Sequence, residues 1–413
     1  MTGRFQAPRG TRDLLPADFV LWNRLLRTAE EVCALYGYRP IRTPVFEDTE
    51  LFVRTAGGGS DIVRKEMYTF EDLGGRSLTL RPEATAPICR AYVEHGLHRE
   101  PQPVKLYTVA SLYRYEAPQK GRYREHHQLS VEAIGSEDPA LDAELIQLYG
   151  ELLRRLGVGS YRIELNSIGD RRCRPAYVER LRAWLAEHDD ELDAEAREKA
   201  ERSPLRVFDT KNETLARALA DAPAIGDSLC EPCTEHFAAV RRHLDAYGVA
   251  YTVVPTLVRG LDYYTRTTFE FRSAALGAKD QLVGGGRYDY LVEEIGGPPT
   301  PALGFGAGLE RLLLSLAESG ATANEEPGTD VFFVLETGAP RPEVLALMAE
   351  LRRRGRSCDT DYAGRSLKGQ LTQARRSGAR TTVIAGPGGA AVREGGREDV
   401  SVPLADLLDT LIR

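Results

Sequence analysis

Two glycine-dense segments constrain the fold of this 413-residue chain more than any other feature: Leu282-Val283-Gly284-Gly285-Gly286-Arg287-Tyr288 and Leu303-Gly304-Phe305-Gly306-Ala307-Gly308-Leu309-Glu310-Arg311. Each reads as a strand running into a glycine-rich turn, and the second opens a helix to about Leu316. The G-x-G-x-G at Gly304 to Gly308 comes too late in the chain to start a βαβ dinucleotide fold. No G-x-x-x-x-G-K-[ST] is present, so the phosphate cradle of a P-loop enzyme is missing. Neither a G-x-S-x-G elbow nor an H-E-x-x-H occurs. Glycines in such strands let backbone pack closely against a ligand or a neighbouring strand.

The surrounding pattern is mixed. Residues 18–36 carry Phe19, Trp22, Leu25, Leu26, Ala29, Val32, Cys33 and Tyr36 at helical spacing, with Gly37 as a stop. Residues 104–115 and 128–134 are strand-like. The charged stretch 116–127 between them suggests an antiparallel pair with a working loop. A helix is expected over 142–156, ending at Gly157. Residues 175–188 read as helix and 189–202 as a mostly exposed helical segment, so about 170–225 is expected to be a small helical insertion. Strand character resumes at 249–255 and 267–272. A small, acidic linker over 318–329 separates an α+β domain over 1–325 from a C-terminal α/β domain over 330–413. In the latter, strands are expected at 331–335, near Ser357, at 381–385 and near Val400, with helices at 342–353, 367–376 and the end.

Charge narrows the class of partner. The net charge of −7, from 54 Lys+Arg against 61 Asp+Glu, argues against indiscriminate coating of nucleic acid. It leaves room for a folded RNA with a local basic footprint, and residues 351–380 hold nine basic residues against two acidic ones. The same run also reads as a solvated helix face. No apolar run approaches the roughly 20 residues of a membrane span, and the first ten residues lack a secretory pattern, so a cytoplasmic protein is expected. Six scattered cysteines suit a reducing compartment. Cys230-Glu231-Pro232-Cys233 reads either as ordinary thiols at a loop-helix junction or as half a zinc site, with Cys173 the one distant candidate for a further ligand.

What remains for chemistry is a set of arginines and carboxylates on strands and turn edges. Arg114 ends a strand beside the charged loop, Arg259 lies between a strand and two tyrosines, and Arg311 follows three glycines. A planar, permanently charged guanidinium suits a triphosphate. Glu83, Glu116, Gln128 and Glu132 are what an ammonium or an imidazole N–H needs. The combination points to ATP-dependent activation of an amino compound.

The motifs resemble those of class II aminoacyl-tRNA synthetases, and within them the histidyl-tRNA synthetase family. Tyr113-Arg114-Tyr115-Glu116 and Gly304 to Arg311 match the two ATP-binding motifs, and residues 38–54, with Pro44, look like the dimer-interface motif. Arg81-Pro82-Glu83-Ala84-Thr85, Arg114 through Gln128, Arg259 through Tyr264 and Gly285 through Asp289 follow the family's order. The resemblance implies a class II catalytic domain with an antiparallel sheet, a helical insertion and a C-terminal anticodon-binding domain. It implies that Glu83, Thr85 and Gln128 hold the α-ammonium of L-histidine, that Glu132 and Tyr264 bond the imidazole, and that Tyr263 lines the pocket. Arg114 would bridge the histidine carboxylate and the α-phosphate, while Glu116, Arg122 and Arg311 hold the rest of ATP. Arg259 would stabilise the α-phosphorus during attack, and Gln119 and Arg124 would touch the tRNA(His) acceptor end. ATP with Mg2+, whose ligands are unassigned, a homodimer and no membrane complete the expectation. The alternative is a non-catalytic synthetase-like regulatory subunit of ATP phosphoribosyltransferase.

Overall fold

The structure, a computed structural model, describes residues 5–57, 60, 62–118, 121–210, 212–273, 280–318, 328–395 and 399–412. The chain divides into two compact units, Met1–Thr322 and Ala323–Arg413. The linker expected over 318–329 lies outside the described residues from 319 to 327.

The first unit begins with α1 (Phe19–Leu35), β1 (Arg39–Pro40), β2 (Phe46–Asp48) and α2 (Thr49–Ala56). Then come β3 (Tyr68–Glu71), β4 (Ser77–Leu80), α3 (Thr85–Glu94), β5 (Val104–Tyr113), β6 (Glu125–Ile134), α4 (Pro139–Leu156) and β7 (Arg162–Ser167). Three helices follow, α5 (Arg174–Glu187), α6 (Ala194–Arg202) and α7 (Glu213–Ala218), in the region expected as a helical insertion. The unit continues with α8 (Glu231–Ala246), β8 (Thr252–Val253), β9 (Thr265–Arg272), β10 (Gln281–Arg287), α9 (Leu291–Glu294), β11 (Ala302–Gly308) and α10 (Leu309–Glu318).

Eight strands form one sheet in the order β1-β5-β6-β11-β10-β9-β7-β8, antiparallel except at its two edges. Alternation along the strands gives the sheet two faces. Leu129, Val131, Phe305, Ala307, Phe269 and Phe271 point to one face and pack with α1, α4, α8 and α10 in the largest core. Tyr149 of α4 meets Phe271 and Phe305 edge-on, with centroids 4.8 and 5.2 Å apart, each pair adding about 1 kcal/mol beyond burial. The other face carries the polar and glycine positions. A second core joins α3, β5, helices α5 to α7 and Tyr263, Tyr264 and Tyr288.

Several expectations are corrected. The glycine runs are not turns: Gly284 to Gly286 lie inside β10 and Gly304 to Gly308 inside β11, paired in register with each other. The working loop is shorter than 116–127, because β6 starts at Glu125 and pairs Tyr113 with Glu125 and Ser111 with His127. Helix α4 starts before Asp142, since Asp138 accepts from Ala140 N at 2.9 Å and Pro139 occupies the first turn. The strand expected over 249–255 shrinks to two residues because Val249 N is bound by Leu244 O, which closes α8.

The second unit has a five-stranded sheet in the order β13 (Cys358–Thr360), β12 (Val331–Leu335), β14 (Thr381–Gly386), β15 (Gly389–Glu394), β16 (Val400–Val402), with α11 (Arg341–Arg353), α12 (Leu367–Arg376) and α13 (Leu407–Ile412). Strand β15 is missing from the sequence reading. Its small residues Gly389, Ala390 and Ala391 carry little strand signal, and pairing with β14 supplies the hydrogen bonds that define it.

Candidate active site

The polar face of the large sheet is built on absent side chains. A Cβ on Gly304 would lie 1.6 Å from Glu132 Oε2, one on Gly306 2.4 Å from Gln128 Nε2, and one on Gly284 2.2 Å from Arg259 Nη1. The three glycines are therefore the space occupied by side chains reaching across from neighbouring strands and the Arg259 loop.

One end of this face holds a carboxylate pocket. Glu83 is buried, and its oxygens accept from the N–H groups of Thr85 at 2.6 Å and Ala86 at 3.0 Å, which satisfies the first turn of α3. Burial pushes the Glu83 carboxyl up, and those two N–H groups pull against it. Glu132, at the centre of β6, is wholly buried. It accepts from Thr85 Oγ1 at 2.8 Å on Oε1 and from the Tyr288 hydroxyl on Oε2. Burial raises its pKa to about 8, against the opposing pull of those two hydroxyls. A carboxyl held this way gains from a cationic or N–H-donating ligand that ionises it. Tyr263 and Tyr264 form a tilted pair 4.7 Å apart, and Tyr263 meets Tyr288 at 5.6 Å. Gln128 Nε2 donates to Ser130 Oγ at 2.9 Å on the same strand face.

The other end is cationic. Arg114 Nε donates to Pro82 O at 2.7 Å, tying the arginine to the residue before Glu83. Its Nη1 lies 4.0 Å from Glu116 Oε1, and Glu116 Oε2 pairs with Arg122 Nη1 at 3.1 Å. Arg311 donates to Gln281 O. His126 lies among Arg114, Arg122 and Arg311, and burial together with these charges depresses its pKa to about 3. The imidazole therefore stays neutral. Burial, and then Arg122, lower the Arg311 pKa from its ordinary value. Three guanidinium groups with Glu116 as their nearest carboxylate partner leave a net positive field, the requirement of an anion site. Arg259 pairs with Glu270 and lies 5.6 Å above the Tyr264 ring. Burial opposes its charge, but Glu270 and Tyr264 hold its pKa above the ordinary arginine value.

Arg124 is stacked 3.8 Å over the Tyr115 ring, donates from Nε to Glu116 O at 3.3 Å and from its backbone N–H to Gly10 O at 2.7 Å, and accepts from Arg114 N at 2.8 Å. Gln119 lies outside the described residues. Three residues of the site were not singled out from sequence. Tyr288 was visible only as part of a motif, yet it closes Glu132. Glu270 carries no motif and becomes apparent only through its pairing with Arg259 and with Arg272 at 2.7 Å. Glu310 fixes the start of α10 by accepting from His127 N and ring Nδ1 at 3.0 and 2.9 Å. Asp262 accepts from Ser203 of the insertion at 3.2 Å, consistent with a structural task.

An antiparallel sheet with helices on one face, and on the other an arginine cluster beside a carboxylate pocket, defines the catalytic domain of a class II aminoacyl-tRNA synthetase. The family profile of histidyl-tRNA synthetase matches residues 10–312. A histidine–tRNA ligase of Moorella thermoacetica is 48% identical over 410 residues, covering 97% of this chain and 96% of that protein. One from Halothermothrix orenii is 44% identical over 412 residues, covering 98% of each. The solved apo histidyl-tRNA synthetase of S. aureus is 35% identical, covers 99% of this chain and 100% of its own, and superposes with a TM-score of 0.83. The chain belongs to the histidyl-tRNA synthetase family.

Proposed function

We propose that this protein ligates L-histidine to tRNA(His) through histidyl-adenylate. A histidine carboxylate oxygen attacks the α-phosphorus of ATP, the α–β phosphoanhydride bond breaks, and pyrophosphate leaves. The terminal ribose hydroxyl of the tRNA then attacks the histidyl carbonyl, and AMP leaves. The observation that carries this reading is the adjacency of two opposite environments on one sheet face: buried Glu83 and Glu132 at one end, and Arg114, Arg122 and Arg311 around His126 at the other.

In this reading Glu83, Thr85 and Gln128 hold the α-ammonium, and Glu132 and Tyr264 meet the two imidazole nitrogens beside Tyr263. The raised pKa of Glu132 suits this task, because an imidazole N–H or imidazolium compensates the cost of its ionisation. Arg114, tethered to Pro82 next to Glu83, bridges the amino acid and the α-phosphate. Glu116, Arg122 and Arg311 take adenine and the outer phosphates. Arg259 stabilises charge as it develops on the α-phosphorus, so catalysis is electrostatic and positional rather than nucleophilic. Magnesium is expected to enter bound to ATP.

Arg124 takes the acceptor end of the tRNA, together with Gln119. The second unit serves as the anticodon-binding domain, with Lys368, Arg375 and Arg376 exposed on α12. Two copies pair through the face carrying exposed Val45, Phe46 and Phe70. Free cysteines, six among the described residues, suit the cytoplasm. Among the described residues no helix is long and apolar enough to cross a membrane.

Purified protein is expected to catalyse ATP–pyrophosphate exchange that depends on histidine; absence of exchange at saturating histidine overturns the reading. The regulatory-subunit alternative has less support. A solved ATP phosphoribosyltransferase regulatory subunit/histidyl-tRNA synthetase from Bacillus halodurans C is 25% identical, with a TM-score of 0.65.

A further inference from the structure

The C-x-x-C pair left open in the sequence has companions in the fold. Cys230 and Cys233 at the start of α8 meet Cys173 and Asp170 at the start of α5, with one ligand atom from each of the four lying within 4.8 Å of all the others. Each segment supplies two donors at the i, i+3 spacing of a metal knuckle: Asp170-Arg171-Arg172-Cys173 and Cys230-Glu231-Pro232-Cys233.

We propose that Asp170, Cys173, Cys230 and Cys233 bind a zinc ion that clamps the start of α5 to the start of α8. Three of the six donor–donor edges match a tetrahedral ion, and the others, none above 4.8 Å, need the donors to draw in slightly. Zn–S bonds of about 2.3 Å and Zn–O bonds of about 2.1 Å require S···S edges of about 3.8 Å and S···O edges of about 3.6 Å. Cys173 Sγ lies 3.9 Å from Cys233 Sγ and 3.7 Å from Asp170 Oδ1, and Cys230 Sγ lies 3.9 Å from the same Oδ1. A disulfide sulfur pair sits at about 2.05 Å, so these thiols are not cross-linked.

The surroundings are built for the charge. Three thiolates and a carboxylate exceed the charge of Zn2+, and cations gather on the far oxygen of Asp170. Arg172 donates to Oδ2 from Nε at 3.0 Å and Nη2 at 2.7 Å, and Arg266 Nη2 lies 3.8 Å away, while Oδ1 accepts from Arg172 N at 2.9 Å and faces the sulfurs. Such partners orient ligands and tune a metal site. Cys173 and Cys230 are the N-caps of α5 and α8, where the helix dipole favours a thiolate. Gly169, at φ +64°, leaves the room: a Cβ there would lie 2.6 Å from Cys173 Sγ.

The clamp has a route to the site. Arg174 donates to Gly169 O at 3.1 Å and Tyr264 O at 2.6 Å, and Arg266 N donates to Gly169 O at 2.7 Å. The knuckle backbone is thereby fastened to Tyr264 and to the start of β9, which follows it. That functional consequence rests on the histidine-pocket reading; the metal site does not.

The full-length protein, purified without chelator, is expected to hold about one zinc ion per chain by elemental mass spectrometry. Zinc should leave on treatment with a mercurial thiol reagent. Replacement by cobalt(II) should give tetrahedral d–d bands and thiolate-to-cobalt charge transfer. Cys230→Ser and Asp170→Asn should lower zinc retention at least tenfold, a loss of the size expected even for outer partners of a metal, while Cys358→Ser, in the second unit, should retain it. Wild-type protein that holds no zinc after incubation with the metal and gives no charge-transfer band overturns the proposal. So does a disulfide within the cluster, or equal zinc loss in Cys358→Ser. Failure of ATP–pyrophosphate exchange with zinc present would strike the proposed function alone.

Discussion

Thr85 Oγ1 donates to Glu132 Oε1 at 2.8 Å, a bond across 47 residues that joins the start of α3 to the centre of β6. It brings the Glu83 carboxylate, which caps the same helix turn, beside Glu132 in one buried pocket. The burial that unites them is also the main cause of their raised pKa values.

Glu132 makes stability depend on pH in a defined window. Its folded-state pKa, about 8, is above its ordinary value of 4.5, so the protonated carboxyl is the form the fold favours. This contribution is complete below about pH 4.5 and is lost as pH rises through about 8. Urea denaturation of ligand-free protein across that window should show wild type losing stability relative to Glu132→Gln. Parallel curves would mean that Glu132 is ionised throughout. Histidine should protect wild type more strongly at the alkaline end.

Gly304→Ala places a methyl group 1.6 Å from Glu132 Oε2. The carboxylate must move, at a cost of about 1–3 kcal/mol. Thermal denaturation should register that loss, and the histidine KM in exchange should rise more than the ATP KM. An unchanged histidine KM would separate Glu132 from amino-acid binding.

Arg259→Ala should lower the exchange kcat by about 10²-fold or more, the scale of a lost transition-state charge stabiliser. Histidine Kd by calorimetry should change less. An equal loss in both would make Arg259 a ground-state binding residue.

Replacing Lys368, Arg375 and Arg376 together with Ala should weaken aminoacylation and spare exchange. If all three contact phosphates, the salt dependence of tRNA binding should fall by about 2 in slope. Equal loss of exchange would assign these side chains to stability instead.

Local signals in the chain were enough for the elements that carry strong periodicity or caps. Helix α1, strand β12 and helices α11 and α12 lie where apolar spacing and stop residues predict them, because their patterns are set within a few turns of chain. Residues 104 to 134 announced a strand-loop-strand for the same reason, although β6 begins earlier than its own composition suggests. Motif order also singled out Glu83, Arg114, Arg259 and Arg311.

Tertiary structure decided the rest. A glycine inside a strand and a glycine in a turn look alike in sequence; only the register of β10, β11 and β6 shows that Gly304 and Gly306 yield their volume to Glu132 and Gln128. The same holds for Glu270, which has no motif and gains its place by facing Arg259, and for Tyr288, whose hydroxyl finds Glu132 across 156 residues. Cys173 and Asp170 were an unrelated thiol and carboxylate until the fold set them against Cys230 and Cys233. Side-chain type and local pattern are properties of the chain. Distance between residues far apart in sequence is a property of packing, and it is distance that sets the pKa values, the ion pairs and the ligand geometry on which this protein's chemistry rests.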